Sequence, residues 1–185
     1  MIYISLFINF RDCFYSIFIS MKITKIILFS FLLVLAILQF FRIKKNENNS
    51  EQVNHISNQF SAPDEVGNIL KKSCYDCHSN NTAYPWYANI QPVAWWLQNH
   101  INEGKEELNF DEFALYKPRR QFKKMEEMQE LISENEMPLY SYTLLHGNAK
   151  LSEEEKTILI TWSKEIRYII KTKNPGSVPA EDEDD

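Results

Sequence analysis

Cys74, Cys77 and His78 stand in the string Cys-Tyr-Asp-Cys-His, and their spacing limits what they can do. Two thiols three residues apart, with an imidazole directly after the second, form the C-x-x-C-H signature. In it each thiol adds to one vinyl group of a haem and the histidine is aimed at the iron. The expectation is one covalently attached haem c, with Cys74 and Cys77 as thioether attachment points and His78 as the proximal ligand. The competing chemistries each lack a part. A thioredoxin-like dithiol wants its CxxC after a strand in an α/β pattern, and no such alternation surrounds this motif. A structural zinc site needs four ligands, so a distant histidine would have to join His78. A local disulfide needs no histidine.

The sixth position on an iron points to Met137, which precedes Pro138 and lies 59 residues after His78. A methionine alone is more often core filler, but beside an attached haem a thioether on a loop is a ligand of the right kind. His100 and His146 are the alternatives. His100 shares a helix face with Trp96 and Leu97, so it also reads as a buried histidine bonded to a backbone carbonyl or as a partner of a haem propionate. His146 precedes Gly147 and also reads as a turn residue. Tyr84, Trp86, Tyr87, Trp95, Trp96 and Trp162 read as core aromatics, the walls a large apolar cofactor needs.

These residues must be positioned by helices, since no strand alternation and no internal repeat is visible. Pro63 precedes acidic Asp64 and Glu65 at a helix start, and Val66, Ile69, Leu70 and Cys74 follow at helical spacing into the motif. Pro92 opens a second helix that is expected to end near Gly104. A third is expected from about Arg119 to Asn135, with Phe122, Met125, Met128 and Ile132 inward, stopped by Pro138 acting on Met137. Ser152 and Glu155 form a capping box for the last helix, whose apolar stripe is Ile158, Leu159, Trp162, Ile166 and Ile169.

Residues 26–41, from Ile26 to Phe41, form an uncharged apolar run flanked by Lys22 and Lys25 before it and Arg42, Lys44 and Lys45 after it. As a helix it would span about 24 Å, short of a ~30 Å hydrocarbon core, but basic ends can snorkel to the interface. No small-x-small cleavage site follows, so it reads as an uncleaved signal anchor. Residues 1–20 are apolar but broken by Arg11-Asp12; they read as upstream of a start at Met21, or as a second short membrane segment. Cys13 has no role in the first case. The resulting division is an anchor over 1–45, a flexible tether over 46–61 with an exposed His55, a haem-binding domain over 62–171 and a disordered acidic tail over 172–185. Basic residues are balanced across the anchor, so only the site chemistry orients it, with the domain outside the cytoplasm. The net charge of −5 supplies no basic surface for nucleic acid, and three cysteines are too few for a disulfide scaffold.

Cys74-Tyr-Asp-Cys-His-Ser-Asn-Asn-Thr, Tyr84-Pro-Trp-Tyr, Pro92-Val-Ala-Trp-Trp, His100-Ile-Asn-Glu-Gly, Met137-Pro and Leu151-Ser-Glu-Glu-Glu together resemble the bacterial haem-binding domain family with one CxxCH motif, over about residues 63–170. The arrangement is also similar to small mono-haem cytochromes c of the His/Met class. The resemblance implies an all-α, cytochrome c-like domain behind a single N-terminal transmembrane helix, held by one anchor in the cytoplasmic membrane. It implies Cys74, Cys77 and His78 in the attachment and proximal roles and Met137 as the distal ligand. One departure is that small cytochromes c often carry a glycine eight residues before the first motif cysteine, where Val66 stands here, followed by Gly67. The function expected is electron transfer between unidentified redox partner proteins, not enzymatic catalysis. The alternatives are a haem-based small-gas sensor or a zinc or dithiol protein.

Overall fold

The computed structural model describes residues 21–48 and 50–178, and Cys13, the start of the chain and residues 179–185 of the acidic tail lie outside them. Among the described residues every regular element is helical, so the fold is all-α. The chain divides into two units, one of residues 1–43 and 86–95, the other of residues 44–85 and 96–185.

In the first unit, helix α1 (Met21–Leu38) is long and apolar enough to cross a membrane, and none of it is buried within the protein. It starts earlier and stops sooner than the apolar run alone implied. Gln39, Phe40 and Phe41 leave the helix through successive turn bonds to Ala36, Ile37 and Leu38. A single 3-10 turn over Trp86–Asn89 belongs to the same unit.

The second unit holds the core. Helix α2 (Ile56–Gln59) and helix α3 (Asp64–Ser73) lead into the one-turn helix α4 (Tyr75–His78). Helix α5 runs Val93–Glu107, of which residues 96–107 lie in this unit, α6 runs Pro118–Ser133, α7 Tyr140–Leu145 and α8 Glu153–Lys173. The α6 stripe of Phe122, Met125, Met128 and Ile132 meets the α8 stripe of Leu159, Trp162, Ile166 and Ile170 in one apolar cluster, joined by Val66, Ile69 and Leu70 of α3. Burying such side chains is worth roughly 1.5–3 kcal/mol each, so this seam dominates the unit's stability. At its edge Arg167 pairs with Glu126 at 2.6 Å and lies over the Phe122 ring. Lys72 of α3 pairs with Glu155 of α8. Both reciprocal bonds of the Ser152–Glu155 capping box are present. A Cβ at Gly67 would meet nothing within 4 Å, so α3 reaches α8 without needing a glycine.

Three expectations need correction. The tether over 46–61 is built into the second unit. Ile56 is completely buried, and Asn46 donates to the Ser79 carbonyl and Thr82 while accepting from Lys105. Its polar composition serves as hydrogen-bonding capacity, and His55 caps α2 instead of standing in solvent. Helix α5 does not stop at Gly104 but continues to Glu107. Helix α6 is ended by Asn135, which adopts φ 62°, while the Glu136 N–H bonds back to the Leu131 carbonyl and the Asn135 N–H to that of Ile132. That is a Schellman cap with asparagine in the left-handed position, and Pro138 is not needed to end the helix.

Candidate haem site

Cys74 is the junction between α3 and α4, with φ −126° and ψ −42°. Its carbonyl accepts the N–H groups of Cys77 and His78 at 3.2 and 3.0 Å. The single turn so closed places positions i, i+3 and i+4 on one face, which is why both thiols and the imidazole line the same cavity. That cavity measures about 470 Å³ and lies within the second unit, inside the 300–1,000 Å³ range of ligand and cofactor sites. Its walls are Phe110, Met128, Leu131, Ile132, Leu139 and Leu151, with Met137 and Pro138 at one side and His100, Glu103 and Gly104 of α5 at another.

His78 is held by its own backbone surroundings. Its Nδ1 lies 2.9 Å from the Leu108 carbonyl, which can only accept, so Nδ1 carries the proton and Nε2 keeps its lone pair for a metal. Burial pushes the imidazole below its ordinary pKa, with the carbonyls of Leu108 and Gly104 opposing the shift. A neutral ring is the form that binds iron.

Gly104 brings α5 against the motif. A Cβ there would lie 2.9 Å from the Cys77 carbonyl oxygen and 3.1 Å from the Cys77 Cβ, so only glycine permits this approach. After the motif, Asn80 N–H donates to Asp111 at 2.7 Å, Asn109 to Asn80 at 2.9 Å and Asn80 to Gln52 at 3.0 Å. This buried amide network fixes the chain leaving His78.

The thiols are not joined to each other. Burial pushes Cys74 up to about 12, with Cys77 adding to the shift, and Cys77 up to about 11, with Asp76 adding. A dithiol redox catalyst needs a depressed thiol pKa and here burial works in the other direction. No group of three or more His, Cys, Asp or Glu side chains able to hold a metal comes together among the described residues, so a closed zinc site has no ligand set. An apolar cavity lined by the neutral His78 imidazole, with the Met137 thioether and His100 also at its wall, offers donors that fit a haem. The Ser73 hydroxyl, buried in the wall, has no hydrogen-bond partner in the protein, which leaves a polar group available to a bound molecule.

Of the distal candidates, the structure brings Met137 and His100 to the cavity and leaves His146 out of its lining. Met137 is placed by the Schellman cap, its N–H bonding the Leu131 carbonyl at 3.1 Å. His100 rests on the Trp96 ring at 4.4 Å with Nδ1 3.1 Å from the Trp96 carbonyl. His146 stacks on Tyr142 at 4.3 Å. The expected aromatic walls are mostly elsewhere. Trp86 is 76% exposed, Trp95 and Trp96 are also exposed, and of the four tryptophans only Trp162 is in the core. The apolar walls come from leucine, isoleucine, methionine and Phe110. The residues that sequence reasoning passed over are Gly104, Leu108 and the Asp76–Tyr142 pair. A glycine inside a helical pattern was the available signal for the first.

The profile of the haem-binding domain family matches residues 33–165, and the chain belongs to that family. It therefore carries a haem-binding domain. No curated protein and no solved structure matches it.

Proposed function

We propose that the protein is a membrane-anchored, mono-haem c-type cytochrome that transfers single electrons outside the cytoplasm. The observation that carries this reading is the convergence of Cys74, Cys77, His78 and Met137 on one apolar cavity, with His78 already in the metal-binding tautomer. When bound, the haem supplies the one-electron chemistry. The chain's own work would be to hold the group through the two motif sulfurs and to present the unprotonated Nε2 of His78 to its iron. The Met137 thioether would be available as a second ligand, and the apolar side chains of α6 and of the 131–139 segment would shield the group from water. A thioether is a weak donor that favours the reduced iron, so Met137 ligation sets a higher potential than a second histidine would. The haem serves partner proteins as electron donor and acceptor, and the chain itself performs no catalytic step.

The anchor reading rests on α1, and the exported orientation rests on the covalent chemistry, which in families of this kind takes place outside the cytoplasm. Alkaline phosphatase fused after Lys173 is expected to be active, and an inactive fusion with an active cytoplasmic reporter at the same point would overturn the orientation. Spectroscopy of the purified protein separates electron transfer from gas sensing. A six-coordinate low-spin iron indifferent to carbon monoxide supports the proposal, whereas rapid carbon monoxide binding would favour the sensor.

A further inference from the structure

Gln91 fastens the segment 86–95 to the carboxyl end of α1 through three hydrogen bonds. Its N–H donates to Gln39 Oε1 at 3.0 Å, its Nε2 to the Phe41 carbonyl at 2.7 Å, and its own carbonyl accepts from Gln39 Nε2 at 3.1 Å. Arg42 adds a fourth bond to the Asn89 carbonyl at 2.9 Å. Gln91 is 3% exposed, so the clasp is shielded from competing water. Around it the large apolar side chains stand in the open: Trp86 is 76% exposed, Ile90 43%, Trp95 40% and Val93 39%. Soluble surfaces rarely gather such side chains without something to cover them.

We infer that residues 86–95 form a foot that rests on the lipid bilayer, with Trp86 and Trp95 in the headgroup layer at the carboxyl end of α1. The inference rests on the reading of α1 as a membrane span. The clasp joins Gln39, Phe41 and Arg42, which follow the last helical residue Leu38, and a span of this length ends at the headgroups. Whatever is bonded to that end shares its depth. Indole suits this depth, being apolar over most of its surface with one N–H to donate. Arg42, clasped to the same segment, and Lys44 and Lys45, which follow it in the chain, are of the charge that lipid phosphates attract. The exposed tryptophans are thus accounted for by a lipid surface, which places the foot beside the anchor and makes it a second point of membrane contact.

The test uses the full haem-loaded chain in vesicles of phosphatidylcholine and phosphatidylglycerol, with lipids brominated near the top of the acyl chain as quencher. Brominated lipid is expected to quench the parent's tryptophan emission, and at least half of that quenching is expected to vanish in Trp86→Phe/Trp95→Phe. Aqueous iodide is expected to quench the parent no more than the double variant. Quenching by iodide that the double substitution removes, with no effect of brominated lipid, would overturn the foot and leave the patch open for a protein partner. Alkaline carbonate extraction is run on the same vesicles. A chain released by carbonate contradicts the anchor reading itself, whereas a chain retained but unquenched by lipid contradicts only the foot.

Discussion

The Tyr142 hydroxyl donates to Asp76 Oδ2 at 2.6 Å, joining the residue between the two motif cysteines to the helix that follows the Met137 loop. Asp76 also accepts the Ala83 N–H at 3.0 Å, so its carboxylate ties three segments together. The two sides of the cavity, thiol and thioether, are therefore mechanically connected. Tyr142→Phe is expected to cost about 1 kcal/mol, the usual net value of one hydrogen bond, and to raise the fraction of iron that binds carbon monoxide. Tyr140→Phe, on the same short helix but exposed, serves as the control. Denaturant midpoints and carbon monoxide titration read both effects, and identical behaviour of the two variants would remove Asp76–Tyr142 from the account.

Met137→Ala is expected to abolish a sulfur-to-ferric-iron band in the far red and to open the iron to carbon monoxide. Met125, fully buried between α6 and α8, offers the contrast. Met125→Ala is expected to lower stability by about 2–5 kcal/mol and leave the ligation spectrum alone. Because His100 also lines the cavity, its alanine variant belongs in the same series. A parent-like spectrum in Met137→Ala together with a changed one in His100→Ala would make the site bis-histidine.

Two glycines in helices are expected to respond in opposite directions. Gly104→Ala drives a methyl into the Cys77 backbone and is expected to cost about 1–3 kcal/mol and impair haem loading. Gly67→Ala meets nothing and is expected to stabilise α3 by about 0.5–1 kcal/mol. Thermal unfolding and the haem-to-protein absorbance ratio measure the difference.

His55 Nδ1 accepts the Ser57 N–H at 3.1 Å to cap α2, while Nε2 lies 3.8 Å from Asp111, and the ring meets Tyr75 edge-on. Burial holds its pKa below the ordinary 6.5, and Asp111 opposes the shift without cancelling it. Protonation also removes the lone pair that makes the cap. The folded state binds this proton less readily than the unfolded chain, so the stability at stake is fully present above pH 6.5 and falls as the pH drops below it. Unfolding midpoints measured from pH 8 to pH 5 are expected to decline less steeply for His55→Gln than for the parent.

Local signals were legible in the sequence because they depend on near neighbours. The helix leading into the motif, the Ser152–Glu155 capping box and the α6 stripe appear where spacing placed them, while the α8 stripe closes on Ile170, with Ile158 and Ile169 only partly buried. What escaped depends on distant partners. Asn46 looks like linker composition until its bonds to Ser79, Thr82 and Lys105 are seen. Gly104 looks like a helix stop until Cys77 is packed against it. The ordinary rule that aromatics are buried puts the tryptophans in the core, and that rule does not hold for Trp86 and Trp95, which share a unit with α1.

The central claim is that Cys74 and Cys77 bind a haem covalently in the cavity that His78 and Met137 share. Acid-acetone extraction followed by a pyridine haemochrome spectrum tests it, since a thioether-linked haem stays with the protein and any other is removed. One haem is expected to be retained per chain in the parent, with none in Cys74→Ala/Cys77→Ala. A parent stripped of all haem by the extraction, or a double variant that keeps it, would contradict the account.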